Sequence, residues 1–276
     1  MARAIERIER DITVLQEAMG AIAAELHSAY ASYLSILGQA VRQQLILASY
    51  HLCTQGYPEN FLSLSLNQRQ QLQQAIRKLG KKTAEELLTV IRSEEDEGDE
   101  GDEEDEGDEE DDSSLIAATS IDLSVPIELI AWQQNLEEEM QNILKKVSHN
   151  ANVLLQKAGV LPKKLPEPIL EAAAVAAAAA SEASAEVIPG PPNLLSLVIE
   201  IENEQDAQDS SLTQIMAINL RLGEIEFADS TLSSGRRQIR NILIQLNKVG
   251  REYQKKQKEK SIAEAESAWR AIWVDD

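Results

Sequence analysis

IERIERDITVLQEAMGAIAAEL, residues Ile5 to Leu26, sets an apolar side chain at Ile5, Ile8, Ile12, Leu15, Met19, Ile22 and Leu26. The steps are 3, 4, 3, 4, 3 and 4. They average about 3.5 residues, the period at which one line on an α-helix stays turned toward a partner helix. The line continues through Tyr30, Tyr33, Leu37, Val41 and Leu45, and no proline interrupts it before Pro58. A single helix from Ala2 to about Leu52 is therefore expected, roughly 75 Å long at about 1.5 Å per residue.

The charge needs dissecting before it is interpreted. Of the 276 residues, 47 are acidic and 26 basic, a formal net charge of −21. Glu94 to Asp112 alone carries 16 carboxylates and three glycines. Without that run, 31 acidic residues face 26 basic ones, so the body of the protein is only mildly acidic. Closely spaced like charges repel and bury nothing, so a disordered acidic tether is expected there. A plain solubilising linker is its first reading; an electrostatic mimic of a polyanion, or a docking strip for a basic partner, is its second. Aromatics make up only 4% of the chain, which suits thin helix–helix seams better than a thick enzyme core.

Downstream of the first helix, Gln55 to Asn60 has turn composition. Ser65 to Gln68 and Thr83 to Glu86 both read as capping boxes. They predict two short helices, the first ending at Gly80. Ser124-Val125-Pro126 opens a central helix with Leu129, Trp132, Leu136, Met140, Ile143, Val147, Ala151, Leu154 and Ala158 on one stripe, closed by Gly159 and Pro162. Glu171 to Glu186 holds ten alanines, a helix-forming spacer. Asn193 to Ile201 is ambiguous; with no second strand in view, a helix is expected. Gln205 to Ser210 reads as polar loop, and Ser211 to Gln214 as a third capping box opening a stripe of Leu212, Ile215, Leu222 and Ile225.

Asp229-Ser230 reads as a cap or kink, after which Leu232, Ile239, Leu246 and Tyr253 recur every seven residues. That line is as long as Ile5 to Leu26. The two invite pairing, and the sequence leaves open whether they pair within one chain or between copies. Around the line lie nine basic residues, including Arg236, Arg237, Arg240, Lys255 and Lys256. Apolar residues then return out of phase as Ile262, Ala265, Trp269, Ile272 and Trp273.

HLCTQGYPENFLSLSLNQRQQLQQ (His51 to Gln74) and REYQKKQKEKSIAEAESAWRAIWVDD (Arg251 to Asp276) resemble parts of a cyanobacterial family of helical proteins. The two segments make up 50 of the 276 residues. It carries over no catalytic or ligand-binding residue, and it implies a bacterial cytoplasmic setting.

The chemistry of an enzyme finds little footing. No phosphate-cradling glycine loop, H-E-x-x-H or G-x-S-x-G pattern occurs. The single Cys53 excludes an internal disulfide, and His27, His51 and His149 show no ligand spacing. No cofactor, metal or catalytic residue is expected. The N-terminus lacks the apolar core of a secretory signal, and no apolar run approaches a membrane span, so a cytoplasmic protein is expected.

The expected fold is all-α: an elongated antiparallel helical bundle or coiled coil with a disordered acidic tether. Residues 1–93 would hold the long helix and two short ones, 94–120 the acidic linker, and 121–160 the central helix. Residues 161–210 would form a Pro/Ala-rich connector with the Ala-rich helix, and 211–276 the heptad helices with the basic stretch and Trp end. The expected function is a self-associating, non-enzymatic scaffold or adaptor for protein partners. Its partner-binding residues would be Trp269, Ile272, Trp273, Arg236, Arg237, Arg240, Lys255 and Lys256. The alternative is a nucleic-acid- or anionic-membrane-associated protein using the basic helix, with the acidic run as internal competitor.

Deleting Glu94 to Asp112 should leave helicity and melting temperature unchanged, because the run buries nothing. Circular dichroism and a thermal melt of the deleted chain check this, and a large drop in melting temperature would show that it docks on the body.

Overall fold

The computed structural model describes residues 2–92, 126–162, 191–202 and 210–272. Among them the chain forms α1 (Ala2–His51), a π-helical turn (Leu52–Gly56), α2 (Pro58–Ser63), α3 (Leu66–Arg92) and α4 (Pro126–Lys157). Then come β1 (Leu194–Glu202), β2 (Ser210–Ile218), α5 (Leu222–Ala228) and α6 (Ser230–Ile272). The fold is all-α, with one two-stranded hairpin among the described residues. The acidic run and the Ala-rich segment lie outside the described residues.

Two compact units divide the chain, and α1, α3, α4 and α6 contribute to both. The first draws its described residues from Met1–Tyr33, Val90–Glu138 and Ser234–Asp276. Its core takes Ile12, Met19, Ile22, Leu26, Tyr30 and Tyr33 from α1, Leu129, Trp132 and Leu136 from α4, and Ile239, Ile242 and Leu246 from α6. Within this unit α1 and α6 run antiparallel. Tyr33 meets Gly235 and Arg236, while Asp11 pairs with Lys256 and Glu9 with Lys260. The two seams thus lie together in one chain.

The second unit is formed by Leu34–Thr89 and by the described residues of Glu139–Ser233. Here α1 and α3 are antiparallel and close. A Cβ on Gly38 would sit 3.0 Å from the Ala84 Cα, and one on Gly80 would sit 3.4 Å from the Arg42 Cα. That close approach corrects the expectation of two short helices. Gly80 is buried against α1 and does not end α3, which runs unbroken from Leu66 to Arg92. Thr83, read as a cap, is buried mid-helix, and its hydroxyl donates back to the Leu79 carbonyl at 2.9 Å. The capping box at Ser65 does form. The Ser65 amide donates to Gln68 Oε1 at 2.9 Å, and the Gln68 amide to Ser65 Oγ at 3.4 Å.

α4 starts at Pro126 and ends in a Schellman turn. Gly159 takes φ +86°, its amide donates to the Gln156 carbonyl at 3.0 Å, and the Val160 amide donates to the Leu155 carbonyl at 2.9 Å. The buried stripe closes on Leu155, and Leu154 is half-buried.

The helix expected over Asn193 to Ile201 is β1, and the capping box expected at Ser211 belongs to β2. The two pair antiparallel in a nine-residue register from Leu194↔Ile218 to Glu202↔Ser210. Ser210, read as the last residue of a polar loop, is the first of β2, and the rest of that stretch lies outside the described residues. A two-stranded hairpin is marginal alone. This one is held at its base by side chains that satisfy the outer edge of β2. Asn152 donates to the Ile218 carbonyl at 2.9 Å and accepts from its amide at 2.8 Å. The Tyr57 hydroxyl donates to the Met216 carbonyl at 3.2 Å and accepts from its amide at 3.0 Å. Buried Asn193, at φ 59°, accepts from the Arg221 amide at 3.0 Å and donates to Gln44 at 3.1 Å.

Two glycines of α1 separate helix propensity from packing. Nothing lies within 4 Å of a Cβ on Gly20, so Gly20→Ala should stabilise by roughly 0.5–1 kcal/mol. Gly38→Ala should lower the melting temperature in spite of the same propensity gain, because the backbone of α3 blocks it. Paired thermal melts check both signs.

Candidate functional site

α6 is the longest element that combines a buried seam, a basic face and exposed apolar residues. It opens on Asp229, whose Oδ1 accepts from the Thr231 and Leu232 amides at 2.8 and 3.3 Å. Such an N-cap satisfies helix donors that would otherwise lack partners. Leu232, Ile239, Ile242 and Leu246 are buried, and Tyr253 is half-buried. On α1, Ile12, Met19, Ile22 and Leu26 are buried, whereas Ile5, Ile8 and Leu15 keep partial exposure.

The basic residues divide into two groups. Arg236 turns inward and pairs with Glu137 of α4. Its second nitrogen donates to the Tyr33 hydroxyl at 2.9 Å, and its guanidinium lies 4.6 Å from the Tyr33 ring centroid. Tyr30 donates to the same Glu137 oxygen at 2.6 Å. Tyr30 also stands edge-on to Trp132, with centroids 5.7 Å apart, and His27 stacks on Trp132 at 5.9 Å. Lys256 bridges Asp11 at 3.1 Å and Glu259 at 3.1 Å, and Lys260 bridges Glu9 at 3.0 Å. Hydrogen bonds to Glu259 and Asp11 raise the Lys256 pKa, and the bond to Glu9 raises that of Lys260. Arg237, Arg240 and Lys255 remain exposed.

The structure therefore splits the expected partner-binding set. Arg236 is a packing residue of the first unit, and Lys256 is tied to α1. Trp269 is 63% exposed and Ile272 76% exposed, and Ile262 is 50% exposed on the same helix end. Trp273 lies outside the described residues. Sequence reasoning grouped Arg236 with the surface cations because spacing alone does not reveal a carboxylate on another helix. Tyr30 and Tyr33, two hydroxyl-bearing residues on an apolar line, were the available signal that a polar partner sits opposite.

Cys53 is buried in the π-helical turn, and burial pushes its thiol up to about 11, so the reactive thiolate is disfavoured. His149 is exposed on α4. Among the described residues no group of three His, Cys, Asp or Glu side chains is placed to hold a metal ion. No described helix is long and apolar enough to cross a membrane. Comparison with protein-family models, with curated proteins and with solved structures found no significant match in any of the three.

Arg236→Ala should destabilise the protein by roughly 3 kcal/mol, because it strands a largely buried Glu137 carboxylate. Tyr30→Phe should cost about 1–2 kcal/mol. The two losses should not add, since both residues bond one oxygen; chemical denaturation of the single and double variants measures the coupling. Burial, then the bond to Glu137, raises the Tyr30 pKa well above its ordinary 10.0. Below about pH 10 the phenol is neutral in both folded and unfolded chains and adds no pH dependence. Above it, the unfolded chain ionises first and stability falls. Tyrosinate absorbance of Tyr30 should appear only as helicity is lost, and Tyr30→Phe should make the alkaline loss shallower.

Proposed function

We propose that this protein is a non-enzymatic helical scaffold that acts in the cytoplasm, self-associates, and presents the surface of α6 to protein partners. The observation that carries this reading is the set of exposed apolar residues at the end of α6, Ile262, Trp269 and Ile272, on a helix whose seam residues Leu232, Ile239, Ile242 and Leu246 are buried. Large exposed apolar side chains, Trp above all, are the residues from which protein interfaces draw most of their binding energy. The distribution of charge supports the same reading against a polyanion-binding one. Arg236, Lys256 and Lys260 are engaged by Glu137, Asp11 and Glu9. The basic face left on α6 is correspondingly thinner than the sequence suggests. Partner recognition then rests on apolar burial, with the long paired helices as a stiff mount.

The test is the salt dependence of binding. Immobilised full-length protein should retain its protein partners from cell extract at about 1 M salt, where surface charges are screened within roughly 3 Å. Trp269→Ala combined with Ile272→Ala should abolish that retention while leaving the melting temperature unchanged. Binding that is dominated by nucleic acid and falls steeply with added salt would overturn the scaffold reading in favour of the basic face.

A further inference from the structure

We infer that an outward line of cations on α6 is an intramolecular docking face, and that its occupant is this chain's own acidic run, Glu94 to Asp112. Such a contact is independent of the scaffold reading above, and holds whether or not α6 also recruits a protein.

α6 carries ten Lys and Arg residues. Four of them sit in ion pairs: Arg236 with Glu137, Lys256 with Asp11 and Glu259, Lys260 with Glu9, and Arg270 with Glu266. The other six are Arg237, Arg240, Lys248, Arg251, Lys255 and Lys258. All six are exposed, and among the described residues none of them pairs with a carboxylate. Their steps are 3, 8, 3, 4 and 3, and exposed Ile244 divides the eight into two fours. Steps of three and four keep to one side of a helix. The six therefore form one line, on the side away from buried Leu232, Ile239, Ile242 and Leu246. From Arg237 to Lys258 it runs roughly 32 Å at about 1.5 Å per residue. Two carboxylates fall within this stretch of α6: Glu252 at the edge of the line, and Glu259, which Lys256 holds.

Like charges on one line repel, and an anionic chain laid along them removes that repulsion. The densest anion the protein has is the acidic run, with 16 carboxylates in 19 residues. It starts two residues after Arg92, the end of α3, and 13 residues separate it from Pro126, the start of α4. Both of those ends belong to the unit that contains α6 from Ser234 onward. α4 also reaches the head of the line, because Glu137 holds Arg236, the neighbour of Arg237. At about 3.3 Å per residue the connector to Pro126 spans up to roughly 43 Å and the run itself roughly 63 Å, enough to cover the line.

Tethering favours this occupant over a free polyanion. A short tether presents the run at an effective concentration on the order of millimolar. A nucleic acid arriving from solution meets a net charge of −21 and must then displace 16 carboxylates from six cations. Exposed charge pairs contribute little to stability, so the docking leaves the melting temperature where it is and acts by masking the line.

Carbodiimide, which joins a lysine amine to a carboxylate in contact with it, tests this on the full-length protein at about 1 µM, far below the effective concentration of the tether. Mass spectrometry of the digest should find the run joined to Lys248, Lys255 and Lys258 in preference to Lys81 and Lys82, which are exposed and nearer to it in sequence. Yield should fall several-fold at about 1 M salt, where charges are screened within roughly 3 Å. It should fall similarly in Arg240→Glu combined with Arg251→Glu, which keeps all three lysines. Circular dichroism of that variant should match the parent, because both arginines are exposed. Deleting Glu94 to Asp112 should let the protein bind a duplex oligonucleotide about tenfold or more tighter at low salt. Preferential joining to Lys81 and Lys82, or equal binding of the oligonucleotide with and without the run, would overturn the proposal. In a mixture of isotope-labelled and unlabelled protein, each joined pair should carry one label; mixed pairs as the main product would overturn the intramolecular assignment and put the run on a second copy.

Discussion

A largely buried carboxylate needs partners, and Glu137 has two cation and hydroxyl donors drawn from different helices. Tyr30 comes from α1 and Arg236 from α6, and both bond the same oxygen. Apolar seams alone tolerate sliding by a heptad, since one leucine layer resembles the next. A fixed polar contact does not. The Tyr30–Glu137–Arg236 cluster therefore sets which turn of α1 stands beside which turn of α6, and the flanking Asp11–Lys256 and Glu9–Lys260 bridges agree with that register. Gly235 lets it close, because a side chain there would press on Tyr33. As a surface ion pair this would contribute little; largely buried and shared with a tyrosine, it specifies more than it stabilises.

The second unit solves a related problem with neutral groups. A nine-residue hairpin leaves strand edges whose amides and carbonyls need partners. Asn152 and Tyr57 each supply one donor and one acceptor to a single residue of β2, which only a side chain with both capacities can do. Ser148 adds an acceptor for the Leu220 amide at 2.9 Å while donating to the Leu144 carbonyl at 2.7 Å. The sheet is thereby tied to helical elements by hydrogen bonds, and the close α1–α3 contact at Gly38 and Gly80 forms the packed floor of the unit.

Fixing the register of α6 also determines what it has left to offer. Arg236 faces inward, and Lys256 and Lys260 bridge to carboxylates of α1, so the cations of α6 do not form one uniform face. Arg237, Arg240 and Lys255 stay exposed, as do the apolar Ile244, Ile262, Trp269 and Ile272.

Helices were legible in the sequence because their period is written in adjacent turns. The line from Ile5 to Leu45 predicted α1, Ser124-Val125-Pro126 predicted the start of α4, and Asp229-Ser230 the start of α6, each from interactions within a few residues. The same locality explains the errors. Gly80 ends a helix by propensity, but tertiary packing against Arg42 keeps it inside one. Asn193 to Ile201 reads equally well as either element, and only pairing with Ser210 to Ile218, across a polar stretch, makes it a strand. The role of Arg236 depends on Glu137, 99 residues away, and no spacing rule reaches that far. By itself, the sequence determined the long helices and which of their sides are apolar, since both follow from short-range periodicity. Which polar residues were drawn inward was decided only in the tertiary structure, because buried charge is tolerated only where distant segments meet to satisfy it.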